Sequence, residues 1–443
     1  MSDDTETNQI IRTIKELFMK NITNMKELSC LIDKYFIPQE FEKKTNAEVS
    51  TPHKLHHEML DKIPSDFWTS PIRVFEHCAG KGEFLIDIIV RFMIGLSSMI
   101  PDEKMRYKVI VEECLYFSDI NPTNIFICKL LIDPYNEYSL HWNEGNTLEL
   151  NIQEKWGIDG FHAVIGNPPY NNELWSKFVE YILNILFMNG YLLFIHPCNW
   201  RKPQHKIGNI MKKYDIYYLQ IYNIKATYQI FKCNVRVDWY LLKKEKTNIE
   251  TEIIDDLNNH HYCNIKSFDF IPNNMINIIQ KIIINNDDKM EVIRTHKIIS
   301  NDKNLKLKKD EIYKYGVLTN LNSHEKRIKY TDKPHDIYNK PKILMSYSLN
   351  LYPFYDEILS PSEHVFYQLV NDKNDAERII TYYNSKLFRC ILQSSKWIGF
   401  QTDHKLFNYV PNITKKIDII DDIHIYQYFN LTFDEIKFIE ENF

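Results

Sequence analysis

Glycine is scarce in this chain. Its 443 residues include only 11, where average usage would give about 30. Nine of the 11 fall between Gly80 and Gly208. A sequence that avoids glycine elsewhere keeps it where the backbone needs φ > 0 or close approach, so the tight functional turns are expected in that stretch. Paired cysteine spacing is missing too. Eight cysteines without a Cys-x-x-Cys pair indicate neither a disulfide framework nor a cysteine-ligated zinc, and fit a reducing, cytoplasmic compartment. No apolar run reads as a membrane span: Phe84 to Ile100 is interrupted by Asp87 and Arg91 and reads as an amphipathic helix. Met1 to Glu6 is acidic and polar, unlike a secretory leader. Excess positive charge is absent as well. A net charge of −5 is not the footprint of a non-specific nucleic-acid binder, although a local basic face would still permit DNA binding.

What is present describes a globular protein, with 44% hydrophobic and 26% charged residues. The length exceeds one ordinary core and points to about two domains. The organising stretch is Phe161 to Tyr170. An apolar run to Ile165 rises like a buried strand, stops at Gly166, and ends in Asn167-Pro168-Pro169-Tyr170. Asn167 then stands at the carboxyl edge of a strand, where open α/β sheets bind ligands. The prolines fix φ and cannot donate, so their carbonyls point in set directions. An amide, rigid carbonyls and a ring can grip a planar amine, but Asn and Pro also make plain turns.

In chain order, residues 5–42 carry a helical period. Thr51-Pro52 reads as an N-cap and first turn for a helix through Leu55, Met59 and Leu60. A short strand, Ile72 to Phe75, leads into Glu76-His77-Cys78-Ala79-Gly80-Lys81-Gly82 and a helix from Phe84 to Ile94. This Gly-x-Gly turn is not a phosphate loop, because Glu76 and Glu83 would repel phosphate. Their carboxylates suit a cationic ligand. A second strand, Leu115 to Ser118, ends in Asp119-Ile120-Asn121-Pro122. Asp119 is placed either to hold ribose hydroxyls or to cap the next helix. Ser139 to Trp142 is a third strand, followed by Gly145-Asn146. After Tyr170 we expect a helix from Asn172 to Phe187, a strand from Tyr191 to Ile195, and two last strands, Ile216 to Tyr222 and Val235 to Leu242, with Phe231 in the turn between them. The alternation means a doubly wound α/β sheet. Beyond Lys246 it stops. Basic clusters at Lys303 to Lys309 and Glu325 to Lys329 alternate with aromatics at Tyr347 to Tyr355, Phe366 to Tyr367 and Trp397 to Phe400. Such interleaving can track nucleic acid or lie over an aromatic core.

Taken in this order, the motifs from Glu48 to Leu242 resemble those of the N6-adenine DNA methyltransferases of restriction-modification systems and their viral relatives, in the γ order. Tyr382 to Phe400 also looks like the recognition domains of such enzymes. The resemblance implies a helical arm over 1–47, a Rossmann-like class I catalytic domain over 48–246 that binds S-adenosyl-L-methionine, and an α+β target-recognition domain over 247–443. It implies cofactor contacts from Thr51, Glu76, Gly80, Gly82, Asp119, Ile120 and Asn146. Asn167 and the Pro168 carbonyl would accept hydrogen bonds from the target amine, with Pro169 and Tyr170 completing the tetrapeptide. Tyr170 would stack on an extruded base, and Phe231 would close its other face. Double-stranded DNA is the implied partner, with a cognate restriction endonuclease as a further candidate. No metal and no membrane are expected. Two residues depart from the family pattern: His77 stands where Pro is usual, and Asn146 where Asp is usual. RNA amines or protein glutamine pose the same chemical problem and are the alternative substrates. A catalytically silent DNA-binding partner subunit is a third reading. The segment before Glu48 is expected to be too short for a fused nuclease.

Overall fold

The computed structural model describes residues 51–284, 288–397, 399 and 401–443. The expected arm over 1–47 lies outside the described residues. The described chain forms two compact units, one containing residues 51–200 and 206–265, the other 201–205 and the described residues from Lys266 to Phe443.

The first unit is built on one nine-stranded sheet. Along the chain run α1 (His53–Leu60), β1 (Val74–Glu76), α2 (Glu83–Gly95), β2 (Leu115–Asp119), α3 (Pro122–Ile132) and β3 (His141–Glu144). Then come β4 (Phe161–Gly166), α4 (Leu174–Ile185), β5 (Leu186–Pro197), β6 (Asp215–Ile221), α5 (Ile224–Phe231) and β7 (Val237–Lys243). Two more strands, β8 (Thr251–Ile254) and β9 (His260–Cys263), complete it. The spatial order is β3-β2-β1-β4-β5-β7-β6-β8-β9. Strands β1 to β5 are mutually parallel and β7 runs antiparallel to both of its neighbours. The order reverses between β1 and β4, which is the switch point where such sheets bind ligands.

The sequence explains these elements directly. Central strands covered on both faces are apolar throughout, and β1 and β2 are buried at every residue. Helix α4 buries Trp175, Phe178, Val179 and Ile182, the i, i+3, i+4, i+7 stripe of a helix on a sheet. The second unit is α+β, as expected. It has a four-stranded sheet, β10-β16-β13-β14, and a three-stranded one, β12-β11-β15, where β10 is Ile293–Arg294, β11 Tyr315–Leu321, β12 Lys326–Thr331, β13 Lys342–Ser346, β14 Phe354–Asp356, β15 Ser360–Pro361 and β16 Val365–Leu369. Arg201 is 1% exposed and belongs to this unit, donating to the carbonyls of Ile271 and Pro272 and to Asn273 Oδ1.

Four sequence expectations change. The boundary expected at 246/247 moves to Ile265, because β8 pairs with β6 and β9 with β8, extending the sheet by two strands. The helix expected to reach Phe187 ends at Ile185, since Leu186 already pairs with Phe161. Phe231 ends helix α5 and does not lie in a turn. Thr51 is not the N-cap of α1: Pro52 occupies that position without a side-chain cap, and the Thr51 hydroxyl is engaged by Asn167.

Gly166 is the tightest backbone requirement. Its φ is +147°, and a Cβ there would lie 2.8 Å from His77 Cε1. Gly166→Ala is therefore expected to lower unfolding stability by about 2 kcal/mol, combining backbone strain with overpacking. Urea denaturation of the variant beside the native chain measures it, and an unchanged midpoint would mean the β4 end relaxes freely.

Candidate active site

Three strand ends converge at the switch point. Glu76 ends β1, Asp119 ends β2, and Asn167 follows β4 directly. Registers Glu76↔Phe117 and Glu76↔Ile165 bring the three to one edge. A cavity of about 510 Å³ opens there, and its walls include Thr51, Glu76, Gly80, Asp119, Ile120 and Asn146, with Asn167, Pro168 and Pro169 at one side.

The Gly-x-Gly turn is held by both chain and side chain. The Gly80 amide donates to Asp119 Oδ2 at 2.9 Å, and the Asn121 amide to Oδ1 at 2.8 Å. Asp119 therefore organises its own loop as well as the neighbouring one. The cap of α3 is instead Asn121, whose side chain accepts from the Thr123 amide. Gly82, at φ +90°, precedes α2, and a Cβ on it would press on Cys128 Sγ at 3.2 Å. The turn is thus packed against α3, which needs glycine at that point. Ile120 is 61% exposed at the cavity wall, an apolar side chain in the open beside a buried carboxylate.

The electrostatics are unusual. Glu76 is 2% exposed and its Oε2 has no hydrogen-bond partner. Burial raises its carboxyl well above the ordinary range, the nearby Glu83 and Asp119 charges raise it further, and a hydrogen bond from the Leu85 amide only partly offsets them. Burial also raises Asp119, against the hydrogen bonds from Asn121, Gly80 and Asn124. A pocket with clustered, desolvated carboxylates rejects anions and is prepared for a positively charged group.

His77 fills its unusual place as a neutral core ring. Burial pushes it down to about 3. It stacks on Phe194 with centroids 4.4 Å apart, and its Nδ1 lies 3.3 Å from the Ile165 carbonyl. Its own carbonyl accepts from Thr147 Oγ1 at 2.7 Å, and Thr147 Oγ1 lies 2.8 Å from Ser118 Oγ. This chain of polar groups ties the ends of β1 and β2 to the loop after β3. Asn146 caps the short turn that begins there: its Oδ1 accepts from the Leu148 amide and its Nδ2 donates to Glu149.

In the tetrapeptide, Asn167 Nδ2 donates to Thr51 Oγ1 at 3.1 Å. That bond fixes the amide plane and joins two motifs 116 residues apart in sequence. The Tyr170 hydroxyl is buried, which raises its pKa well above the ordinary value, and the residue, half-buried as a whole, packs on the main hydrophobic core. Phe231 is 8% exposed within that core. Nine of the twelve expected residues line the cavity, and Gly82, Tyr170 and Phe231 do not. His56, Thr147 and Phe178 also line it. Phe178 was legible only as part of a helical stripe, and Thr147 only as the neighbour of Asn146.

In the second unit part of the expected basic-aromatic interleaving is packed locally, while Tyr347, Tyr352, Phe354 and Tyr355 stay half-buried. Phe366, Tyr367 and Trp397 are at most 7% exposed: Phe366 and Tyr367 point to opposite faces of β16, both of them covered, and the Trp397 ring N–H donates to the Ile271 carbonyl. Lys326 lies 3.3 Å from the centre of the Phe354 ring, and Arg327 pairs with Glu325. Those buried rings present no stacking face.

No family model and no curated protein sequence matches the chain. Solved structures do. The nuclease-deletion mutant of the Type ISP restriction-modification enzyme LlaGI, in complex with a DNA substrate mimic, is similar over 87% of this chain and 46% of that one, at 12% identity and TM-score 0.50. That match shows the fold alone, a Rossmann-like doubly wound α/β sheet with β7 antiparallel between β5 and β6. Type IIL restriction-modification enzyme MmeI in complex with DNA is similar over 90% of this chain and 66% of that one, at 11% identity and TM-score 0.45. The EcoKI M protein of a Type I restriction enzyme covers 44% of this chain and 47% of its own, at 16% identity and TM-score 0.34. The chain spans about half the length of several structures it matches. No described helix is long and apolar enough to cross a membrane.

Glu76→Gln tests the electrostatics. The folded carboxyl titrates above its unfolded value, so between the two the folded state holds a proton that the unfolded state has lost. Stability then falls as pH rises through that window. The variant is expected to unfold at higher denaturant at neutral pH, by on the order of 1 kcal/mol, with a flatter pH dependence. A destabilised variant with the native pH profile would show that Glu76 is not a buried charge at all.

Proposed function

We propose that this protein transfers a methyl group from S-adenosyl-L-methionine to the N6 amine of adenine in duplex DNA. The observation that carries the reading is the meeting of Asn167 and Pro168 with Glu76 and Asp119 around one cavity. The donor set fits the cofactor. The unpartnered Oε2 of Glu76 matches the cationic amino-acid end, Asp119 the ribose hydroxyls, and the exposed Ile120 side chain the adenine face, with Asn146 at its amine edge. Thr51, Gly80 and Gly82 shape the turn around the methionine portion. The cofactor supplies an electrophilic sulfonium methyl. Proteins binding it this way need no acid or base to activate it, only in-line positioning.

The chain's own task is to prepare the amine. An adenine N6 lone pair is delocalised into the ring. With Nδ2 held by Thr51, Asn167 offers Oδ1 as one acceptor, and the Pro168 carbonyl is the second. Two acceptors on the amine hydrogens favour a pyramidal nitrogen with a localised lone pair, a form reached only near the transition state. Transfer would form the N–C bond and break the C–S bond with its electrons to sulfur, and the surplus proton of the methylated amine would pass to water, while Asn167 and the Pro168 carbonyl hold the amine in place. The base must first leave the helix, and Tyr170, which follows Asn167 and the prolines, is the residue proposed to stack on it. Phe231 would meet the other face only if α5 exposes it. The second unit is proposed to recognise the target sequence.

Incubation with labelled S-adenosyl-L-methionine and unmethylated duplex DNA, followed by nucleoside mass spectrometry, tests the reading. N6-methyladenine is expected, and label on RNA or protein alone would overturn it. Asn167→Ala should lower the transfer rate by roughly 10²–10³-fold, the usual effect of losing one transition-state hydrogen bond, with cofactor affinity nearly intact. Asp119→Ala should instead weaken cofactor binding in calorimetry by at least about tenfold, the loss of a charge-assisted hydrogen bond.

A further inference from the structure

The first two helices of the catalytic unit meet through a group of side chains that the transfer chemistry does not use. His53 and His57 stand one turn apart on α1 and face Asp87 of α2. Their Nε2 atoms are 2.9 Å apart, and they lie 3.7 and 3.3 Å from Asp87 Oδ1. A tetrahedral ion with N and O ligands at its usual bond lengths has ligand-to-ligand edges of about 3.3 to 3.6 Å. The three observed separations bracket that edge. Asp87 is 1% exposed, with buried Glu83 one turn before it and Arg91 one turn after it, where the Arg91 guanidinium donates to the Asp87 carbonyl and to Asp61; a carboxylate buried this deeply is stabilised by a concentrated positive charge on its own oxygens. The His57 side chain is 32% exposed, which leaves an approach from solvent and a position for water. His56 Nδ1 lies 3.7 Å from Asp87 Oδ2, the other oxygen of the carboxylate, beyond hydrogen-bonding distance.

We propose that His53 Nε2, His57 Nε2 and an Asp87 carboxylate oxygen bind a divalent cation of the zinc class, with water as the fourth ligand. Two imidazoles and one carboxylate in a tetrahedral arrangement suit Zn²⁺ or Co²⁺ and are poor for Ca²⁺ or Mg²⁺, which take oxygen. The ion clamps α1 to α2. Thr51 lies two residues before α1, and its hydroxyl holds Asn167, while α2 starts at the Gly-x-Gly turn. The clamp therefore sets the spacing of those two motifs without touching a reacting atom. It differs from the cysteine-ligated zinc that the sequence argues against.

The full-length protein, stripped with chelator and desalted, should retain one Zn²⁺ per chain on reloading. Co²⁺ should give the intense visible absorption of a four-coordinate site. Zn²⁺ at a hundredfold excess over its Kd should raise the unfolding midpoint by about 5 °C. His57→Ala, at a partly exposed position, should lose the bound ion and the thermal shift, whereas the exposed His424→Ala should keep both. No metal uptake by the native chain, or equal uptake by His57→Ala, overturns the proposal. If His57→Ala does not fold, carbethoxylation of His57 in the native chain decides: protection by Zn²⁺ supports the site, and equal labelling with and without Zn²⁺ rejects it.

Discussion

The structure depends on how closely β1 and β4 end side by side. Their parallel register sets Glu76 against Ile165, so the residues that follow, His77 and Gly166, have to share one space. The His77 ring takes it, stacked on Phe194, and Gly166 yields by having no side chain. Only then does the chain turn so that Asn167 reaches Thr51. A proline at position 77 would leave more room under β4. The histidine and the glycine are best understood as one unit, with the ring filling the volume that a smaller residue would vacate.

The second constraint is charge. Burial and the neighbouring Glu83 and Asp119 charges raise the proton affinity of Glu76, and burial raises that of Asp119. A fold gains nothing from that arrangement in isolation. Such strain persists where a ligand relieves it, and the sign of the charge selects the ligand. Phosphate is disfavoured and a cation favoured, although the glycine turn at a helix start would otherwise look like a phosphate site.

Much of this was legible in the sequence, for a physical reason. Strands buried on both faces read as apolar runs, and their ends are marked by the residues that must leave the sheet, Glu76, Asp119 and Gly166-Asn167. Those signals are local. The rest was not. Strands β8 and β9 are short, half polar and at the sheet's edge, so nothing in Thr251 to Cys263 distinguishes them from loop. Leu186 sits in an apolar run that fits helix or strand, and only its pairing with Phe161 decides. Thr51 shows the same limit from the other side. Thr-Pro before an apolar period is a good cap by local rules, yet a partner 116 residues away takes the hydroxyl. In the second unit, composition left open whether the aromatics track nucleic acid or cover a core, because it does not say which side of a strand is covered; Phe366, Tyr367 and Trp397 are buried.

The placement of Tyr170 bears on how two ligands would share the site. Its hydroxyl is buried, and the residue lies off the wall of the 510 Å³ cavity that Asn167 and Pro168 do line. On the proposed reading, a base held beside Tyr170 would approach the ligand between Glu76 and Asp119 from the side of Asn167 and the prolines. That segment, which has no proline N–H to donate, would offer its carbonyls to the amine. The rigidity of Pro168-Pro169 matters here, because a flexible segment would let the acceptor groups follow the planar ground state of the amine and lose their preference for the pyramidal one.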